Sequence, residues 1–175
     1  MVSINKTSDK TRVAQVAGGG FSGLTAAIAL RQNGWDVVLH EKSPELRAFG
    51  AGIYLWHNGL RVLEGIGCLN EVLEDSFTPP AYETWMHNKT VSKETFNGLP
   101  WRIMTRAHLH DALANRAREV GVEIRTNSEA VGAEASGTLK LASGEVVEGD
   151  LIVGADGVGS KVRDSLGFEQ ERWGA

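Results

Sequence analysis

Apolar positions follow two rhythms along this chain. Residues 12–17, "RVAQVA", form a short β-like run, and after a cluster of glycines residues 21–33 carry alanine, leucine and isoleucine at helical spacing up to Gly34. "WDVVLHE", residues 35–41, returns to a β-branched run. Strand, glycine turn, helix and strand over residues 12–41 make a βαβ unit, whose two strands are expected to be parallel. Residues 42–55 read as a loop punctuated by proline and glycine, and 58–67 as a short helix with Leu60, Leu63 and Ile66 on one face.

After Pro79-Pro80 the pattern changes. "AYETWMH" and "VSKETF", joined by "NKT", read as an antiparallel excursion from the sheet over about residues 81–104. Residues 105–121 give the clearest helical stripe, with Leu109, Leu113, Ala117 and Val120 in phase, Thr105 as cap and Gly121 as stop. "VEIRTN" reads as a strand, and residues 136–149 as a small antiparallel meander. Residues 150–167, "DLIVGADGVGSKVRDSLG", repeat the order strand, glycine loop, helix. The fold class is therefore α/β with a mainly parallel sheet. Residues 1–11 are polar and read as a disordered tail.

Composition narrows the function classes. The 175 residues are 42% apolar and 23% charged, which suits a globular domain with a real core. Eighteen basic against 22 acidic residues leave a net charge of −4, so no basic footprint for nucleic acid or an anionic membrane is present. Residues 1–12 lack the apolar core of a secretory signal, and no apolar run approaches bilayer length. A cytoplasmic location is expected. A single cysteine, Cys68, excludes an internal disulfide or a cysteine-based zinc site. His108 and His110 stand two apart on a helix and point to different faces, so no metal is expected.

The candidate chemistry starts at Gly18-Gly19-Gly20-Phe21-Ser22-Gly23, a G-x-G-x-x-G between a strand and a helix. Gly18 would make the tight turn, Gly20 would admit a pyrophosphate to the backbone, and Gly23 would let helix and strand pack. Glu41 follows 18 positions after Gly23, at a strand end where a carboxylate accepts from ribose hydroxyls. Together these form a Rossmann-like dinucleotide fingerprint, which NAD and FAD share. Asp156, in "GADGVGS", also falls at the carboxyl end of a strand. Gly154 and Gly159 have P-loop spacing, but Ser160 precedes Lys161, the reverse of the order that motif needs. "GFSGL" lacks the final glycine of a nucleophile elbow, so Ser22 is not a hydrolase serine. Trp56, Trp85 and Trp101 read as packing residues whose loop positions leave a pocket-lining role open.

"GGGFSGLTAAIAL", "LHEK", "TRAHLHDAL" and "GADGVGSKVR" together resemble the FAD-dependent aromatic-ring hydroxylases of the p-hydroxybenzoate hydroxylase type. The glycine-aspartate stretch separates them from NAD dehydrogenases. Residues 45–67 and 79–106 resemble the branch of that family that opens hydroxypyridine rings in vitamin B6 degradation. The resemblance runs from about residue 12 to about 173. It implies that Gly18, Gly20, Phe21, Ser22 and Gly23 hold the FAD diphosphate, and that Glu41 binds the adenosine ribose with Lys42 and Ser43 beside it. It also implies that Arg106 reaches the FAD phosphates or ribityl chain, and that Ala130 or its neighbour meets adenine through the backbone. Asp156 would belong to the motif shared by FAD and the pyridine nucleotide. Tyr54 and Tyr82 fall where the family places pocket residues on the flavin and substrate sides; ordinary packing is the alternative for each.

The implied activity is a flavin-dependent monooxygenase that uses NADH or NADPH and O2 on a 3-hydroxypyridine carboxylate. A hydroxynicotinate or other aromatic hydroxylase, a nucleotide-binding module without catalysis and a dehydrogenase fragment stay open. Family members continue past this point with a further Gly-Asp motif and the rest of the substrate pocket. Residues 12–175 are thus expected to be part of an FAD-binding domain, truncated before the substrate domain is complete.

Overall fold

In chain order the elements are β1 (Val13–Ala17), α1 (Phe21–Gln32), β2 (Asp36–His40), β3 (Gly52–Trp56), α2 (His57–Gly65), α3 (Leu69–Glu74), β4 (Tyr82–Met86) and β5 (Lys89–Glu94). They continue with β6 (Trp101–Thr105), α4 (Arg106–Glu119), β7 (Glu123–Arg125), β8 (Ala130–Glu134), β9 (Thr138–Leu141), β10 (Val146–Glu148), β11 (Leu151–Gly154) and α5 (Lys161–Ser165). The structure is a computed structural model and describes residues 11–48, 50–95, 98 and 100–168. The tail expected over 1–11 therefore lies, but for Thr11, outside the described residues. The chain divides into one unit made of Met1–Leu46 with Ala117–Ala175, and another made of Arg47–Arg116.

The first unit is built on a four-stranded sheet in the order β11-β1-β2-β7, with all neighbours parallel. Register fixes its two faces. Ala14, Val16, Val37 and Leu39 are buried on one face, where Leu24, Ala27 and Ile28 of α1 supply the apolar cover. Gln15, Ala17, Val38 and His40 share the other face by alternation along β1 and β2. There Ala17 packs with Ala130, Ala133, Leu139, Leu141 and Val162 in one apolar cluster, which brings the antiparallel sheet β10-β9-β8 over the parallel one. α1 ends at Gln32 with Asn33 as its C-cap, and Gly34 takes φ +79°, the left-handed turn that lets the chain double back into β2.

The second unit holds two antiparallel pairs, β3–β6 and β4–β5, with α2, α3 and α4 up to Arg116. α2 buries Leu60 and Leu63, and α4 buries Leu109 and Leu113. Thr105 Oγ1 accepts from the His108 amide at 3.1 Å and caps the helix as its sequence predicts.

Two local expectations need correcting, and one element lies outside them. Residues 52–56 form β3 rather than loop, because β6 offers them a full ladder from Gly52–Thr105 to Trp56–Trp101. The hairpin turns at His87-Asn88, with φ +49° and +60°, one position earlier than the predicted "NKT". Two consecutive left-handed residues match the twist of a two-residue hairpin, and asparagine tolerates that region well. Residues 69–74 form the short helix α3, which the apolar pattern did not predict. Trp56 stacks on Trp101 at 5.3 Å and 13°, with Tyr54 edge-on to Trp56 at 6.0 Å, so the tryptophan pair packs within the β3–β6 ladder.

Candidate functional site

The carboxyl ends of β1, β2 and β11 converge where the strand order reverses, the position at which open α/β sheets bind ligands. The Gly18 amide donates to the His40 carbonyl at 2.8 Å, and the Ala155 amide to the Ala17 carbonyl at 2.8 Å. A cleft of about 280 Å³ opens above these ends. Gly18, Gly19, Gly20, Glu41, Lys42, Ala130 and Asp156 are among its lining residues.

The glycines divide by what surrounds them. Gly18 has φ +106°, and a Cβ there would lie 2.3 Å from the Ala155 carbonyl oxygen. On Gly23 a Cβ would lie 1.9 Å from the Gly18 oxygen, so helix and strand end would be forced apart. At Gly19, which the fingerprint treats as arbitrary, a Cβ would meet two side-chain ends, Leu46 Cδ2 at 2.5 Å and Glu41 Oε2 at 2.9 Å, and displace them. Around Gly20 there is nothing within 4 Å of such a Cβ. The protein backbone itself does not need that glycine, so the cradle it leaves is room for a ligand.

α1 starts beside this cradle with no side-chain cap and no acidic residue in its first turn. An uncapped helix N-terminus facing a cleft favours a bound anion. Phe21 and Ser22 form that first turn. The Gly18 amide does not serve as a grip, because the His40 carbonyl takes it; Gly18 shapes the turn instead.

Glu41 follows β2 directly. Its Oε2 accepts from the Gly19 amide and its Oε1 from the Ser43 amide, both at 2.8 Å. Each oxygen keeps acceptor capacity, so a ribose diol is compatible with this arrangement. Ser43 acts through that backbone bond and through its carbonyl, which accepts from Asn127 at 3.0 Å.

The opposite wall combines Glu129, Ala130 and the loop after β11. Lys161 Nζ lies 2.6 Å from Glu129 Oε1, a bond that holds the Glu129 carboxyl below its ordinary range. Asp156 bonds its own loop and the start of α5: Oδ1 accepts from the Ser160 hydroxyl and Oδ2 from the Val162 amide at 3.2 Å. Ser160 Oγ in turn accepts from the Arg163 amide at 3.0 Å and caps α5. Asp156 thus lines the cleft, and its side chain also supports the start of α5.

The remaining predicted residues belong to the second unit. Arg106 starts α4 and its side chain passes close to Gly50, where a Cβ would meet Arg106 Cδ at 2.9 Å. Tyr54 on β3 and Tyr82 on β4 are both about half exposed. Motif reasoning missed His40, Glu129 and Lys161 as cleft-lining groups. For His40 and Glu129 adjacency was the available signal, since they precede Glu41 and Ala130, while the ring contacts of His40 and the place of Lys161 had none.

The donor set fits the adenosine–diphosphate half of a dinucleotide: an open glycine, an uncapped helix start and an oriented carboxylate at one strand end. The cleft volume sits just below the roughly 300–1,000 Å³ of sites that enclose a whole small ligand, in keeping with part of a long cofactor.

Comparison with known proteins agrees. Residues 10–174 match the family model described as FAD binding domain. A probable 2-heptyl-3-hydroxy-4(1H)-quinolone synthase of Rhodococcus erythropolis is 42% identical over 92% of this chain and 43% of its own length. The 3-hydroxybenzoate 6-hydroxylase 1 of Aquipseudomonas alcaligenes is 33% identical over 86% of this chain and 42% of its own. Among solved structures, 2-methyl-3-hydroxypyridine-5-carboxylic acid oxygenase superposes with a TM-score of 0.91 at 79% identity. That match covers 94% of this chain and 44% of the oxygenase, one of whose solved forms is tetrameric. The chain thus spans less than half the length of the relatives it matches. On the glycine cradle, the strand-end carboxylate and these matches, the chain belongs to the FAD binding domain family, among the FAD-dependent aromatic-ring hydroxylases.

Proposed function

We propose that residues 12–175 are the FAD-binding part of a monooxygenase that uses NADH or NADPH and O2 to oxygenate, and to open, the ring of a 3-hydroxypyridine carboxylate. The observation that carries the FAD assignment is the open space at Gly20 beside an uncapped helix start, with Glu41 oriented at the neighbouring strand end. The 79% identity to a hydroxypyridine-carboxylate oxygenase supports the substrate class. The backbone of Gly20, Phe21 and Ser22 would receive the diphosphate, Glu41 the ribose, Lys42 the phosphate side of the sugar, and Ala130 the adenine edge. On family likeness Arg106 is assigned to the FAD phosphates or ribityl chain, and Tyr54 and Tyr82 to the flavin and substrate sides. Flavin held there would supply the redox chemistry between the reduced nicotinamide and dioxygen. The chain's own contribution is to bind, orient and shield. A tetramer is the expected assembly, on the likeness to the tetrameric oxygenase.

Aromatic hydroxylation without ring opening is the second reading, favoured by the match to a 3-hydroxybenzoate hydroxylase. One assay separates them. The purified monooxygenase that contains these residues, supplied with FAD, NADH or NADPH and 2-methyl-3-hydroxypyridine-5-carboxylic acid, is expected to oxidise the reduced nicotinamide and consume oxygen together while the ring's ultraviolet absorption disappears. Turnover with the aromatic absorption retained supports hydroxylation alone. No visible flavin spectrum and no turnover overturns both.

A further inference from the structure

Beneath the cleft lies a polar chain inside an otherwise apolar layer. His40 closes β2, is 1% exposed, and directly precedes Glu41. Its Nδ1 lies 2.8 Å from Ser128 Oγ and its Nε2 lies 2.8 Å from Gln15 Oε1. Gln15 Nε2 donates to the Glu148 carbonyl at 2.9 Å.

Chemistry alone sets the direction of every bond. A carbonyl only accepts, so the Gln15 nitrogen faces Glu148 and its oxygen faces His40. That oxygen also only accepts, so His40 Nε2 carries the hydrogen. Nδ1 of the neutral ring is then bare, and the Ser128 hydroxyl donates to it. Burial, and after it the Arg125 guanidinium, hold the His40 pKa below its ordinary value, against the opposing pull of Glu145 and Glu123. Glu41, Lys42, Glu129, Asp156 and Lys161 are the further charged groups lining the cleft. A buried polar chain with every member satisfied fixes the spacing of the elements it joins.

Those elements are the two walls of the cleft. The His40 carbonyl holds the Gly18 amide at 2.8 Å. Its ring holds Ser128, whose amide donates to the Glu41 carbonyl at 2.8 Å and which leads into Glu129 and Ala130. One residue thus joins the glycine loop to the wall opposite. We propose that His40, relayed between Gln15 and Ser128, is a positioning residue of the nucleotide site, setting the distance between the glycine loop and the Glu129–Ala130 wall that receives the adenosine half. This rests on reading the cleft as the FAD site.

The test measures FAD affinity by flavin fluorescence titration in the parent protein and in His40→Phe, Ser128→Ala, Ser128→Thr and the double variant His40→Phe/Ser128→Ala. The unfolding midpoint without nucleotide is measured alongside. His40→Phe and Ser128→Ala are each expected to weaken FAD binding about tenfold, and the double variant no further, because both break one chain. Ser128→Thr keeps the hydroxyl and is expected to stay within about twofold of the parent. A residue that only supports the fold would move the midpoints and leave the affinity of the folded fraction unchanged. In the parent, nitrogen NMR shifts are expected to show the Nε2–H tautomer at His40, and an Nδ1–H tautomer would overturn the relay. If His40→Phe does not fold, the Ser128 pair decides alone: equal affinity in Ser128→Ala, Ser128→Thr and parent overturns the inference. A parent protein that binds no FAD overturns the reading of the cleft itself, a separate result.

Discussion

The Gly19 amide donates to Glu41 Oε2 at 2.8 Å, so the carboxylate placed to meet a ribose is also the clasp of the loop placed to meet a diphosphate. Loop and sugar site are set by one side chain. Replacing Glu41 with alanine opens the clasp on the loop and removes the charge-assisted bond to the sugar, the latter worth about 1.5–3 kcal/mol. FAD binding in Glu41→Ala is expected to weaken roughly 10- to 150-fold, with Glu41→Gln between it and the parent. Calorimetric titration checks this, and unchanged affinity in Glu41→Ala removes Glu41 from the site.

The glycines give a paired prediction. Gly18→Ala places a Cβ 2.3 Å from the Ala155 carbonyl at φ +106°, a clash with backbone that cannot swing away. The expected loss is about 1–3 kcal/mol or more, read as a lower melting temperature by roughly 2–4 °C for each kcal/mol. Gly20→Ala meets nothing within 4 Å and is expected to melt like the parent while binding FAD less tightly. Thermal melts and flavin titration on the two variants separate the glycine the fold needs from the glycine the ligand needs.

How much was legible in the sequence depends on how local each feature is. The βαβ unit and its glycine loop were readable because turn, helix start and strand end lie within 12–41 and each carries its own residue signature. β3 was not, since glycines flank it and its ladder partner β6 begins at Trp101. His40 escaped notice for a related reason. Its ring partners lie 25 and 88 positions away, and no spacing rule reaches that far. Asp156 was recognised by its position, but its side chain turned out to serve Ser160 and the start of α5.

That cap yields a further prediction. Ser160→Ala removes the acceptor of the Arg163 amide and a donor to Asp156. Loss of such a cap costs about 0.5–2 kcal/mol. A denaturant titration is expected to show the midpoint falling with an unchanged slope, and an unmoved midpoint contradicts the capping role.

The buried histidine predicts a pH dependence whose sign is fixed. Burial lowers the His40 pKa in the folded protein below its ordinary 6.5, so the unfolded chain binds the extra proton more readily. The contribution of neutral His40 is complete above about pH 6.5 and is lost as pH falls from there toward the lowered folded value. Subtracting the melting profile of His40→Gln from that of the parent is expected to leave a difference that shrinks on acidification through this window. A difference that grows on acidification reverses the assignment.

The central claim is tested most directly by a crystal structure of the protein with FAD. The account predicts the diphosphate against the backbone of Gly20–Ser22 and both ribose hydroxyls within hydrogen-bond reach of the Glu41 carboxylate. FAD bound elsewhere, or a Glu41 turned away from the sugar, would contradict it.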